Sequence, residues 1–378
     1  MFGILRLGYK LLINDRAKFV ALLVGVTFAV FLMIEMTSLF SGSLYRASAT
    51  VINIGARMWV MDPAVQTVAN TIPLPDYVID EVRSIDGVKY AVPLYSGGAL
   101  VKLADGTYQS VNVVGLDDET LFGRPKLIDG NIEDIFAENG FIVVKDAEFP
   151  KLENPTIGTT FELNDYQGKI VGIAQVATSG LFGVPTLYTT FNRARTYIPN
   201  TRFTTSYVLV EPKTEADIAL IEQAVAKLGY LALTNDEFEH RISDFYVYQT
   251  GFGINILLMA IISFVVGLSI SGQTYYTFIL ENLGHFGALK AIGAKNRELI
   301  GIILFQAGFI ALTGLGLGIG GCAVIIWAAK LYLPSYAAII TFGNLSLAFA
   351  MVLVIAGVSS YAGIRKVLTI DPFDIFRG

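Results

Sequence analysis

The chain has 378 residues, 53% of them hydrophobic and only 16% charged, with 27 Lys and Arg against 32 Asp and Glu. Ordinary soluble domains carry far more charge and less apolar surface, so this composition excludes a single water-soluble fold and points to an integral membrane protein. The lone cysteine, Cys322, excludes a disulfide framework as a source of stability.

Residues 1–18 set Leu7, Leu11 and Leu12 among Arg6, Lys10, Arg16 and Lys18. Basic and apolar residues so mixed predict an amphipathic helix lying on the inner leaflet. Residues 19–40 follow as an apolar run of about 22 residues, long enough to cross a bilayer core of roughly 30 Å as a helix. No A-x-A-like cleavage site closes it, so it reads as an uncleaved anchor. Glu35 sits about 24 Å along that span at 1.5 Å per residue, near its outer face. An ionisable group there is expected to reach the headgroups or pair helices, with a proton relay or substrate contact as the sharper alternative.

Residues 41–250 are polar, with 16 basic and 26 acidic side chains for a net charge of −10. Residues 99–103 and 107–114 read as a hairpin around Ala104-Asp105-Gly106, and 140–144 and 169–176 as further strands. Helical periodicity marks 75–85 and 215–228, each opened by acids that favour a helix N-terminus. The expectation is an α+β domain of two lobes, with 234–250 leading into the next span as a helical stalk. Hydrolytic chemistry finds little support, because the chain has two histidines, His240 and His285, placed on opposite sides of the membrane by this topology. Neither a cofactor nor a metal is expected.

The last third, 251–378, holds three more apolar runs at 252–276, 299–329 and 345–362. Lys290, Lys295, Arg297, Arg365, Lys366 and Arg377 flank them, and together with the N-terminal basics they place both termini and the 281–298 loop in the cytoplasm. The 41–250 domain is then external. In the loop, Phe286, Leu289 and Ile292 are spaced to form one apolar face, Lys290 adds charge, and Gly293 is placed to end the helix. The face suits a groove on a cytoplasmic partner.

Within 299–329, Gly316-x-Gly318-x-x-Gly321 matches a dinucleotide fingerprint in spacing alone. That fingerprint needs an aqueous strand–turn–helix, so the reading fails inside a membrane span. The pairs Gly314/Gly318 and Gly316/Gly320 instead predict close helix approach. Gln273 and Gln306 read as interhelical hydrogen-bonding groups. No G-x-x-x-x-G-K-[ST] phosphate loop occurs anywhere, so nucleotide hydrolysis would fall to another polypeptide.

Three segments carry a family resemblance. Phe286-Gly287-Ala288-Leu289-Lys290-Ala291-Ile292-Gly293-Ala294 resembles the segment after the second span of FtsX/MacB-type permeases, the mechanotransmission class of ABC transporters. Phe305-Gln306-Ala307 with the glycine run resembles their third span, and Asp371-Pro372-Phe373-Asp374-Ile375-Phe376-Arg377 their C-terminal tail. Motif wording and length are most similar to DevC-like permeases. The resemblance implies four transmembrane helices plus an α+β extracytoplasmic domain inserted between the first and second. It implies residence in the bacterial inner membrane and an ABC ATPase supplied in trans. It also implies a second permease copy forming a homodimer, a periplasmic adaptor and outer-membrane channel, contact with membrane lipids, and no nucleic acid. The implied function is export of an amphipathic or hydrophobic substrate, a lipid, glycolipid or drug-like compound. Activation of an external cell-wall hydrolase and extraction of lipoproteins are the alternatives.

Overall fold

The computed structural model describes residues 2–178, 183–198 and 204–369, with side chains from Arg6 onward. It divides into two compact units, Met1–Gly42 with Phe252–Gly378, and Ser43–Gly251. Helix α1 (Phe2–Asn14) has an exposed face with Arg6 and Lys10 and a buried one with Leu12. Helix α2 (Arg16–Ile54) is unbroken over 39 residues, roughly 58 Å at 1.5 Å per residue and almost twice a bilayer core. The expected span covers only its first part. The helix continues because 41–54 lacks proline and keeps a helical apolar spacing at Ala47, Val51 and Ile54. That face packs into the core of the inserted unit.

The inserted unit is a mixed ten-stranded sheet with helices packed against it. Strand β1 (Met58–Met61), a short β2 (Leu74–Pro75) and α3 (Tyr77–Arg83) precede the long β3 (Val88–Lys102) and β4 (Tyr108–Leu116). Next come β5 (Leu127–Gly130), β6 (Gly140–Val144), β7 (Thr160–Leu163), β8 (Tyr166–Ala174), β9 (Thr186–Thr190) and α4 (Phe191–Tyr197). A short β10 (Thr204–Thr205), β11 (Tyr207–Pro212), α5 (Ile218–Lys227), β12 (Leu231–Thr234) and α6 (Asn235–Asp244) complete it.

Strand β3 makes this two lobes. Its first half pairs β11, with Tyr207 opposite Leu94, and its second half pairs β4, from Tyr95 opposite Gly115 to Lys102 opposite Tyr108. On one side lies the antiparallel run β12-β1-β11-β3, and on the other β3-β4-β9-β6-β8-β5. The strand period of two sends alternate residues to different cores. Met58 and Val60 of β1 join α3 and α5, whereas Trp59 and Met61 join α6 and the end of α2. The third core forms where α4 packs Phe191, Ala194 and Tyr197 against Val113, Phe141 and Ile170.

The expected stalk over 234–250 is helical from Asn235 to Gln249 and breaks only at Thr250. A single π-helical segment, Phe245–Gln249, follows α6, and Thr250 is then extended at φ −108°, ψ 159°. The Thr250 hydroxyl donates to Tyr246 O at 2.7 Å, closing the turn locally. The chain resumes as α7 (Gly251–Glu281), α8 (Leu283–Ala291), α9 (Asn296–Tyr332) and α10 (Phe342–Leu368). Helices α2, α7, α9 and α10 are each long and apolar enough to cross a membrane. Their shared core joins Val26 and Val30 of α2, Phe278 of α7, Ile303 and Ile310 of α9, and Val352 of α10. Helix α1 lies on α9, with Gln306 Nε2 donating to Gly8 O at 2.8 Å and Tyr9 edge-on to Phe309. Gln273, its expected counterpart, is exposed. The tail motif from Asp371 to Arg377 lies outside the described residues.

Candidate functional site

Helix α8 and the turn after it form the segment between the second and third spans. Asn282 separates it from α7, and Gly293 adopts φ +101°, a left-handed value that suits glycine, before α9 starts. The structure corrects the expected single face of Phe286, Leu289 and Ile292. Phe286 is 1% exposed within the bundle core and Leu289 packs against that core, but Ile292 is 81% exposed. At 100° per residue, positions i and i+6 lie about 120° apart, so they cannot share a narrow stripe. Ile292 also falls one residue beyond the helix end. The surface this segment presents therefore includes His285, Ala288, Ile292 and Lys295, all exposed. Lys290 turns back instead, its Nζ donating to Leu368 O of α10 at 3.2 Å. Nearby, Lys18 pairs with Asp15 at 2.8 Å and with Glu281 at the end of α7. The segment is thus fastened to its neighbouring helices while one edge stays free.

The glycines of α9 divide. A Cβ at Gly314 would lie 2.7 Å from Val26 Cγ1, and one at Gly318 would lie 2.6 Å from Val30 Cγ1. These two allow α9 to approach α2 closely. A Cβ at Gly316 or Gly320 would meet no neighbouring element within 4 Å, so the second pair faces outward. Glu35 takes the helix-pairing alternative of the two expected. It is buried, not at the headgroups: Cys322 Sγ donates to its Oε2 at 3.2 Å and the Tyr336 hydroxyl donates to Oε1. Just beyond it, Ile339 N donates to Ser38 O at 2.9 Å and Ser41 Oγ to Asn344 Oδ1 at 3.1 Å. Glu35 thus helps tie α2 to α9 and to the connection leading into α10.

One cluster in the inserted unit escapes sequence reasoning. Glu148 is fully buried, with Lys151 Nζ 2.6 Å from Oε2 and Arg46 Nη1 of α2 3.6 Å from Oε1. Asp146 Oδ1 accepts from Glu148 N at 2.9 Å. Burial lifts the Asp146 carboxyl above its ordinary value, and the Glu148 charge adds to the rise. Two carboxylates between two cations bind α2 to the segment after β6. The one sequence signal was an arginine in an otherwise uncharged helical stretch after residue 40. His240 and His285 lie in different units, and no group of metal-ligating side chains occurs among the described residues.

Two family models match the chain, the MacB-like periplasmic core domain over residues 19–228 and the FtsX-like permease C-terminal over 254–372. An uncharacterised ABC transporter permease of Mycobacterium tuberculosis is 25% identical over 351 residues, covering 91% of this chain and 90% of that protein. The macrolide export ATP-binding/permease protein MacB of Psychrobacter cryohalolentis is 24% identical over 217 residues, covering 54% of this chain and 30% of that protein. Among solved structures, the periplasmic region of MacB from Actinobacillus actinomycetemcomitans aligns at a TM-score of 0.39 and 12% identity, covering 51% of this chain and 96% of that one.

Proposed function

This chain belongs to the ABC transporter permeases built from a MacB-like periplasmic core domain and an FtsX-like C-terminal segment, and from that premise we propose that it is the permease subunit of an exporter driven by a separate ATPase. The observation that carries this reading is the build of α8. Phe286 and Leu289 anchor it in the bundle while His285, Ala288, Ile292 and Lys295 stay exposed, a handle that can be gripped without unfolding what it is attached to. In this reading hydrolysis belongs to the gripping partner, in keeping with a chain that carries no phosphate-binding loop.

Movement of that handle would pass to α7, α9 and α10 through the shared core. Helix α2 offers a stiff route onward, since it runs without a break from the bundle core into that of the inserted unit. The switch needs two packings that the nucleotide states of the ATPase favour differently. In this reading both termini and the 281–298 segment are cytoplasmic, two permease copies pair, and a periplasmic adaptor with an outer-membrane channel receives the cargo. An amphipathic or hydrophobic cargo is in keeping with a MacB relative named for macrolide export.

The test is co-purification with the ATPase. The permease alone should hydrolyse no ATP, and the complex should. Ile292→Asp places a charge in the desolvated contact at about 2–5 kcal/mol, a loss of about 30-fold or more in affinity. Its abundance in the membrane should equal that of the unmutated chain. Full retention of the ATPase by Ile292→Asp would remove α8 as the coupling element.

A further inference from the structure

The elbow where α1 meets α2 forms an open groove of about 450 Å³, lined by Tyr9, Lys10, Ile13, Asn14 and Arg16. The amphipathic pattern of α1 says only that this helix suits a membrane surface; the fold sorts its cations. Asp15 is the one acid in residues 1–18. Both its oxygens turn to Lys18, Oδ1 accepting from the backbone N at 3.2 Å and Oδ2 lying 2.8 Å from Nζ. Lys18 pairs with Glu281 of α7 as well. Lys10 and Arg16 are exposed and have no carboxylate partner among the described residues. The groove thus carries two cations and no acid. Its frame is fixed. A Cβ at Gly8 would lie 3.1 Å from Ile302 Cγ2, so the glycine lets α1 press on α9. Phe309 takes Tyr9 edge-on at 5.4 Å and Phe19 stacked at 6.5 Å. Across the elbow, Phe19 N donates to Asp15 O at 3.0 Å. The backbone that carries Lys10 and Arg16 is therefore held in place before any ligand arrives.

The donor set names the chemistry of the occupant. An ammonium, a guanidinium, the Asn14 amide and the Tyr9 hydroxyl can all donate, and a phosphate offers oxygens to accept from them. What lies beside the groove says where that phosphate comes from. Beyond Arg16, the exposed positions of α2 continue as Ala17, Val20, Ala21, Val24 and Phe28, a helical spacing that keeps them to one side. This apolar stripe runs about 18 Å from Arg16 into the span at 1.5 Å per residue. An apolar face on a span meets acyl chains, and here it meets them directly beneath two unpaired cations. A soluble phosphate would use the cations alone, whereas a phospholipid uses both features. A zwitterionic headgroup would bring an ammonium of its own to Lys10 and Arg16. A second copy seated here about a two-fold axis would set these cations against their own like. We propose that the α1–α2 elbow holds the phosphate of an anionic phospholipid, a resident lipid rather than a cargo.

This inference stands apart from the coupling reading and can fail without it. Delipidated full-length permease in detergent would be titrated with phosphatidylglycerol, phosphatidylcholine and glycerol 3-phosphate, with bound ligand counted by native mass spectrometry. Phosphatidylglycerol should bind about tenfold or more tightly than either of the others. Each cation beside an anionic lipid is worth about fivefold. Lys10→Gln with Arg16→Gln should therefore weaken phosphatidylglycerol about 30-fold at an unchanged melting temperature. Arg365→Gln with Lys366→Gln removes the same charge from exposed positions on α10 and should leave that affinity nearly unchanged. Equal binding of phosphatidylcholine, equal binding of glycerol 3-phosphate, or an equal loss in both double variants would overturn the proposal. Disulfide cross-linking of Val24→Cys between two copies would overturn it too, by placing a second copy on the stripe.

Discussion

Single residues decide how each unit packs within itself, and Asp146 in the inserted unit and Gly318 in the helical one show it in opposite ways. The folded inserted unit buries the Asp146 carboxyl, which raises its pKa above the ordinary 3.8. A group raised on folding contributes stability below its unfolded pKa, and that contribution is lost as pH rises through the folded value. Asp146→Asn should therefore melt above the unmutated chain near pH 7, the difference closing as the pH falls towards about 4. Melting curves across that range check the sign, and a variant less stable at neutral pH would mean that Asp146 is needed as an anion. At Gly318 the space is already filled by Val30 and the Thr27 carbonyl. Gly318→Ala should cost about 1–3 kcal/mol by overpacking, whereas Gly320→Ala should be neutral or stabilising by up to about 1 kcal/mol through helix propensity. Thermal unfolding in detergent compares the two. Both glycines were legible as packing candidates, but their spacing alone could not say which pair meets a neighbour, because that depends on how α9 is rotated.

At the scale of elements, local chemistry places most boundaries. Thr234 caps α6: its hydroxyl accepts from Glu237 N at 3.3 Å while Glu237 Oε2 accepts from Thr234 N at 2.8 Å. This reciprocal arrangement at the start of α6 predicts a loss of about 1 kcal/mol for Thr234→Ala and near-recovery for Thr234→Ser, read from the melting of the permease. Where alternation or helical spacing was strong, element type could be read directly. The hairpin around Ala104-Asp105-Gly106 pairs in the structure, and 140–144 is β6. The misreadings came where long-range packing overrode a local pattern. Residues 41–54 stay helical because the core of the inserted unit takes their apolar face, whereas the break at Thr250 before α7 is a local turn closed on Tyr246 O. In α8, apolar residues that look equivalent in sequence divide between core and surface because the bundle takes only one stripe.

At the scale of the whole molecule, the four spans and the basic residues around them make a prediction about sidedness. Asp105 and Lys295 are both exposed, and the native Cys322 is buried, which keeps the background low. With a membrane-impermeant maleimide on intact cells, Asp105→Cys should label, and Lys295→Cys should label only after permeabilisation. The opposite pattern would invert the molecule and detach α8 from any cytoplasmic ATPase. Four crossings and the inserted domain were determined by the sequence alone, since an apolar run of about 20 residues has one stable home whatever the rest of the chain does. The free edge of α8, the inward turn of Glu35 and the meeting of Arg46 with Glu148 were decided only by tertiary structure. Each depends on partners remote in the chain, and no local period records which remote residues will arrive.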